Sequence, residues 1–222
     1  MSVAKAVWSR VKHMRKGRPF SRNVFAQVGS RAAVDKTLSN LVKSGLLERV
    51  ARGVYMRPKM SIYTGCRVRP SPIDIMMVLA KANGETIQIH GAEAVRRLGL
   101  STQMQVVPTY YTSGTTRVIK AGNAVVRLRH VSNARMQYAG TKIGTVLTAL
   151  YYLGKQGLSA QVISRITKAM SSEELRKLKG CKMPVWMRSA LLLVNEAALG
   201  PASNDPSALN TRCKLLPPRN TH

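Results

Sequence analysis

The sequence predicts an α+β protein: an N-terminal winged helix-turn-helix followed by a mixed α/β domain with a helical C-terminal part. Three observations predict it. Residues 1–58 read helix, helix, helix, strand, strand, with apolar residues changing from helical spacing to short strand-like runs. Beyond them, strand-like runs and helical patterns mix up to residue 199. The 222-residue chain also carries 36 Lys and Arg against 9 Asp and Glu, a formal charge of +27, so its partner is expected to be a polyanion.

The first helix places Val3, Val7, Val11 and Met14 at helical spacing, with Lys5, Arg10, Lys12 and Arg15 on the other face, and Gly17 stops it. Pro19-Phe20 suits a strand of one or two residues. Ser21 caps a short second helix through Val24, Phe25 and Val28, which Gly29 ends. Ser30 caps a third helix whose stripe is Val34, Leu38, Leu41 and Val42, closing at Gly45. Leu46–Val50 and Val54–Arg57 are strand-like. Arg52-Gly53 lies between them, and glycine supplies the positive φ of a tight hairpin.

Residues 59–72, with Pro70 and Pro72, read as a linker, and residues 73–199 as the second domain. Ser71 or Pro72 opens a helix through Ile75, Met76 and Leu79 that ends near Asn83-Gly84. Ile87–His90 suits a strand and Gly91–Leu98 a helix. Val106–Thr112 is a strand candidate that Pro108 assigns to a sheet edge, with a Ser113-Gly114 turn after it. Arg117–Lys120 and Ala124–His130 flank Gly122-Asn123, a hairpin signal. Lys142–Gly154, Ala160–Met170, Ser172–Lys179 and Trp186–Leu199 are helix candidates. Residues 200–222 carry four prolines and read as a flexible tail.

No acid falls between Glu93 and Glu173, where eleven Lys and Arg lie, so the basic excess is not confined to a tail. Nucleic acid is the first partner such an excess suggests, and an anionic membrane surface the second. Cys66, Cys181 and Cys213 are far apart, without metal-ligand spacing. An odd count and no apolar signal core suit a reducing cytoplasm. No apolar run approaches the roughly 18 residues of a membrane helix.

On the third helix the apolar stripe leaves Arg31, Ala32, Asp35, Lys36, Ser39 and Lys43 pointing away from the core. Arg31, next to the Ser30 cap, is placed for a guanine edge or a phosphate; Lys36 and Lys43 suit phosphates. Asp35 accepts from a cytosine amine, orients an arginine, or serves only to oppose the helix dipole. Arg49 and Arg52 on the ribbon reach backbone or an adjacent minor groove. Arg22 and Lys12 are generic phosphate candidates. Arg96, Arg97, Arg117, Lys120, Arg127 and Arg129 are secondary ones on the second domain.

Gly17, Phe20 and the run FAQVGSRAAVDKTLSNLVKSGLLERVARGVY resemble the N-terminal domain of the AbiEi family of antitoxins. IHGAEAVRRLGLSTQMQVVPTYYTSGTTRVI resembles the segment that follows it there, and together the two cover roughly residues 5–130. The C-terminal third matches only in character. The resemblance implies an antitoxin of a two-gene toxin–antitoxin or abortive-infection (phage-defence) system. In that family the winged helix represses its own operon at inverted repeats on double-stranded DNA; this chain is then expected to bind as a dimer or cooperative pair. The C-terminal domain opposes a nucleotidyltransferase-like toxin, and a stable complex with it is not thought to be required. The DNA-reading elements then fall on Ser30–Lys43 and Arg49–Arg52.

The residues offer no enzyme, metal or cofactor motif. His13, His90, His130 and His222 are scattered; His90 and His130 end strand candidates and can meet in space only if those ends coincide. Ser113-Gly114-Thr115-Thr116 lacks phosphate-loop spacing and reads as a hairpin turn. Of Tyr110 and Tyr111 one ring can stack a nucleobase while the other enters the core. Met76-Met77 and the Leu191–Val194 run read as core. The alternative function is a basic interaction module gripping an acidic protein or a structured RNA, with the winged helix as scaffold; a third reading, a nucleotide-modifying enzyme, has the lack of clustered acids and histidines against it.

Overall fold

The computed structural model describes residues 2–198. Helix α1 (Val3–His13) begins where the Ser2 hydroxyl accepts the Lys5 N–H at 3.3 Å, and buries Val7 and Val11. The expected second helix is a single 3₁₀ turn, Arg22–Phe25, followed by further i→i+3 turns. The Ser21–Gly29 segment is too short for more once Phe25 is drawn fully into the core, and tight turns suit so short a piece. Ser30 caps α2 (Arg31–Lys43), which buries Val34, Leu38 and Leu41. Strand β1 (Pro19–Ser21) joins β2 (Glu48–Ala51) and β3 (Val54–Met56) in an antiparallel sheet of order β1-β3-β2. Gly53 turns the β2–β3 hairpin at φ +75°, and the register slips between Arg49 and Ala51.

Residues 59–68 fold back on themselves: the Val68 N–H donates to the Lys59 carbonyl and the Ser61 N–H to that of Cys66. Helix α3 (Pro72–Asn83) follows, closed by a reciprocal Ser71–Asp74 capping box and ended by left-handed Gly84. It packs against β1 and β3 on one side and against the second sheet on the other. That sheet comprises β4 (Ile87–Ile89), β5 (Thr109–Thr112), β6 (Arg117–Ala121) and β7 (Ala124–His130) in the order β4-β5-β7-β6. Ile119, Val126 and Leu128 form one core with Ile75 and Met76 of α3.

Three expectations about this sheet are corrected. β5 is an inner strand: Pro108 sits just before it, where no N–H is missed, and its carbonyl accepts the Arg127 N–H at 2.9 Å. β5 runs parallel to β7, so Ser113–Thr116 is not a hairpin turn; it carries the chain past β7 to the edge strand β6. Met77 is half-exposed on α3, which turns Ile75 and Met76 inward against the second sheet.

Helix α4 (Gly91–Arg97) lies on α5 (Lys142–Gly157), which kinks at Gly154. Together with α6 (Ala160–Lys168), α7 (Ser172–Lys179) and α8 (Val185–Ala198), α5 encloses a core of Leu147, Leu150, Ile163, Ile166, Leu178 and Met187. Leu191 joins this core, while Leu192 is half-exposed, so the expected Leu191–Val194 core run is only partly core; the side chains of residues 193–198 are not described. The expected tail, Leu199 and Cys213 lie outside the described residues. No helix among the described residues is long and apolar enough to cross a membrane.

Two stability outcomes follow. Leu38 is fully buried between α1 and the first sheet, so Leu38→Ala costs about 2–5 kcal/mol in urea unfolding. His90 caps α4 with a neutral ring: its Nδ1 accepts from the Ala92 N–H at 3.3 Å and from the Gln105 amide at 2.7 Å. Burial, with the charges of Arg129 and Arg135 behind it, holds its pKa below the ordinary value of 6.5. The unfolded chain therefore takes up the proton first, and the cap's contribution is lost as pH falls. The melting temperature should drop between about pH 7.5 and about pH 5.5, above the carboxylate range, and drop less in His90→Gln.

Candidate nucleic-acid interface

The core pattern of α2 decides which residues it offers. With Val34, Leu38 and Leu41 inward, Ala32, Lys36, Ser39 and Lys43 are exposed on the outer face, and Arg31 is 76% exposed at its start. Asn40 stands on the same face between Lys36 and Lys43. The sequence reading passed over it, although its position four residues after Lys36 marks it. The Ser30 hydroxyl is occupied as the cap, accepting the Ala33 N–H at 3.3 Å.

Asp35 lies beyond the first turn, which holds no acid, so the dipole does not explain it. Its carboxylate accepts from Arg22 at 3.1 Å and stands 3.9 Å from Arg31. Arg22 is thus held from the α2 side by a half-buried carboxylate, while Arg31 stays largely exposed. Arg49 and Arg52 are exposed on the adjoining hairpin.

Arg22, Arg31, Asp35, Ser39, Arg49 and Arg52 line one cleft of about 610 Å³. Its far wall comes from the second sheet and from α3: Arg117, Leu79, Ala82 and Asn83. The Asn23 amide donates to the Ala82 carbonyl at 2.9 Å and ties the two walls together. Asn83 has no local sequence signal, since only the packing of α3 against the first sheet brings it here.

The secondary cations divide three ways. Arg96 and Arg97 both clamp Glu93 at 2.8 Å, and their hydrogen bonds pull its carboxyl down to about 2. Arg117 bonds Glu85 at 2.7 Å; with Asn83 and Thr112 also donating, that carboxyl falls below its usual value despite burial. Lys120, Arg127 and Arg129 are exposed on the sheet face opposite α3, alternating with the buried Ile119, Val126 and Leu128. Lys12 stands apart over the Trp8 ring at 4.9 Å, in a groove on the α1 side of the first unit.

Other candidate residues do not assemble a site. His90 precedes the Thr109 end of β5 and His130 pairs with Thr112 at its other end, so the two do not meet. Neither tyrosine is an open platform: Tyr110 packs among core residues, and Tyr111 is covered by His90 at 4.8 Å and by the Arg135 guanidinium at 5.4 Å. Among the described residues no group of three His, Cys, Asp or Glu is placed to hold a metal ion.

No curated protein matches the sequence. A family model described as a family of unknown function, DUF6088, matches residues 6–178, from α1 through most of α7. That match covers most of the chain, and the protein therefore belongs to the DUF6088 family.

Proposed function

We propose that this chain is a sequence-specific DNA-binding antitoxin that represses its own operon at inverted repeats, with residues 2–58 acting as a winged helix-turn-helix. One observation carries the reading. α2 and the hairpin beside it expose Arg31, Lys36, Lys43, Arg49 and Arg52, and the acid among them, Asp35, is already engaged by Arg22. A B-DNA major groove about 12 Å wide admits one helix. Arg31 then reads a base edge, while Lys36 and Lys43 take phosphates. Arg49 and Arg52 reach the flanking backbone or minor groove. Two copies occupy the half-sites.

The antitoxic part of the reading rests on the resemblance to AbiEi antitoxins and belongs to the second domain. The open face bearing Lys120, Arg127 and Arg129 adds phosphate contacts. In this reading the protein works in the cytoplasm by binding, not by catalysis, and opposes a nucleotidyltransferase-like toxin.

Gel-shift titration on the DNA upstream of its own operon is the test. Binding there should be tighter than to random duplex at matched salt; equal affinity ends the reading. Arg31→Ala should reduce that preference by about 1–3 kcal/mol. Lys43→Ala should weaken both duplexes alike and lower the salt slope by about one.

A further inference from the structure

The cleft beside α2 has the features of a ligand site separate from the outer face of that helix. Five arginines line it, Arg22, Arg31, Arg49, Arg52 and Arg117, with Asp35 the one lining acid; Arg117 is also bonded to Glu85 at 2.7 Å. Asp35 engages Arg22 closely and Arg31 distantly. Arg49 and Arg52 have no carboxylate partner among the described residues. Guanidinium groups bind phosphate oxygens in bidentate pairs, and arginines on both walls call for more than one phosphate.

Volume and position narrow the ligand. About 610 Å³ falls within the range of small-molecule sites, about 300–1,000 Å³, which form preferentially between domains. In the DNA-reading role proposed above, a duplex meets Lys36, Asn40 and Lys43 on the outer side of α2 and also engages Arg31, Arg49 and Arg52, which line the cleft. Leu79 and Ala82 give the far wall an apolar stretch. Asn23 and Asn83 each use one amide N–H, on Ala82 and Glu85, and their amide oxygens are left as acceptors for a ligand's N–H groups.

We infer that this cleft binds a nucleoside di- or triphosphate, its phosphates on the arginines and its base toward the end of α3, and that the bound nucleotide competes with DNA for Arg31, Arg49 and Arg52. The competition rests on the DNA-reading role proposed above; the nucleotide binding does not.

Equilibrium dialysis of the full chain against labelled ATP and GTP near physiological salt tests the inference. Saturable binding of one nucleotide per chain is expected. Arg117→Ala should weaken it about tenfold or more, as should the hairpin double variant Arg49→Ala/Arg52→Ala, which leaves Glu85 paired should the first variant unfold. Arg176→Ala, an exposed cation of α7, should leave it unchanged. Several nucleotides bound per chain with the same loss in Arg176→Ala would mean generic attraction to a polycation, and would overturn the site. Inorganic tripolyphosphate binding as tightly as ATP would overturn the nucleotide assignment. Nucleotide should also displace the operon duplex in the gel shift. Specific DNA binding without nucleotide binding sinks this inference alone, whereas nucleotide binding without specific DNA binding sinks only the repressor reading.

Discussion

The burial of Ile75 and Met76 organises this molecule. Both are fully enclosed, and α3, which carries them, touches the first sheet and the second at once. Removing two such side chains from water contributes about 1.5–3 kcal/mol each. The same helix brings its C-terminal end to the Asn23 amide and faces Leu79, Ala82 and Asn83 toward α2. With α3 so held, Arg117 on the far sheet stands across a cleft from Arg31 and Arg52. A freely swinging connection between two independent units would leave no such arrangement.

Electrostatics decides what that framework displays. Asp35, Glu48, Glu85, Glu93, Glu173 and Glu174 each stand 2.7–3.9 Å from a Lys or Arg of the same chain. Asp74 closes a helix cap. The acids whose side chains are described are thus engaged internally, and the surplus is cationic. In residues 2–58 thirteen Lys and Arg stand against two acids, Asp35 and Glu48, so self-repulsion in this part of the chain is strong. A polyanion on that surface relieves the repulsion and releases its own counterions.

Much of the fold was legible because its signals are local. The serines at 30, 71 and 171 cap helices through their own hydroxyls, whatever those helices later touch. Gly122-Asn123 turns β6 into β7 because the turn chemistry is complete within the pair and its flanking runs. Where the reading failed, the deciding contact was distant. Pro108 suggested an edge strand, but β7 arrives in parallel and leaves the proline just outside the ladder. Tyr111 looked available until His90 and Arg135, from other elements, closed over it. A helix was expected at Ser21–Val28, and the demand that Phe25 reach the core reduced it to a 3₁₀ turn.

The candidate site divides along the same line. Periodicity alone selected the outward face of α2 and the basic hairpin tip, because apolar spacing dictates which side of a helix is buried and therefore which side is not. Asn40 belongs to that face by the same arithmetic. The pairing of Arg96 and Arg97 with Glu93, three and four residues before them on α4, follows from helical spacing, but no local pattern could pair Asp35 with Arg22 or set Arg117 and Asn83 opposite α2. Those outcomes depend on which elements pack together, and packing is a property of the assembled sheets and helices rather than of any single stretch of chain.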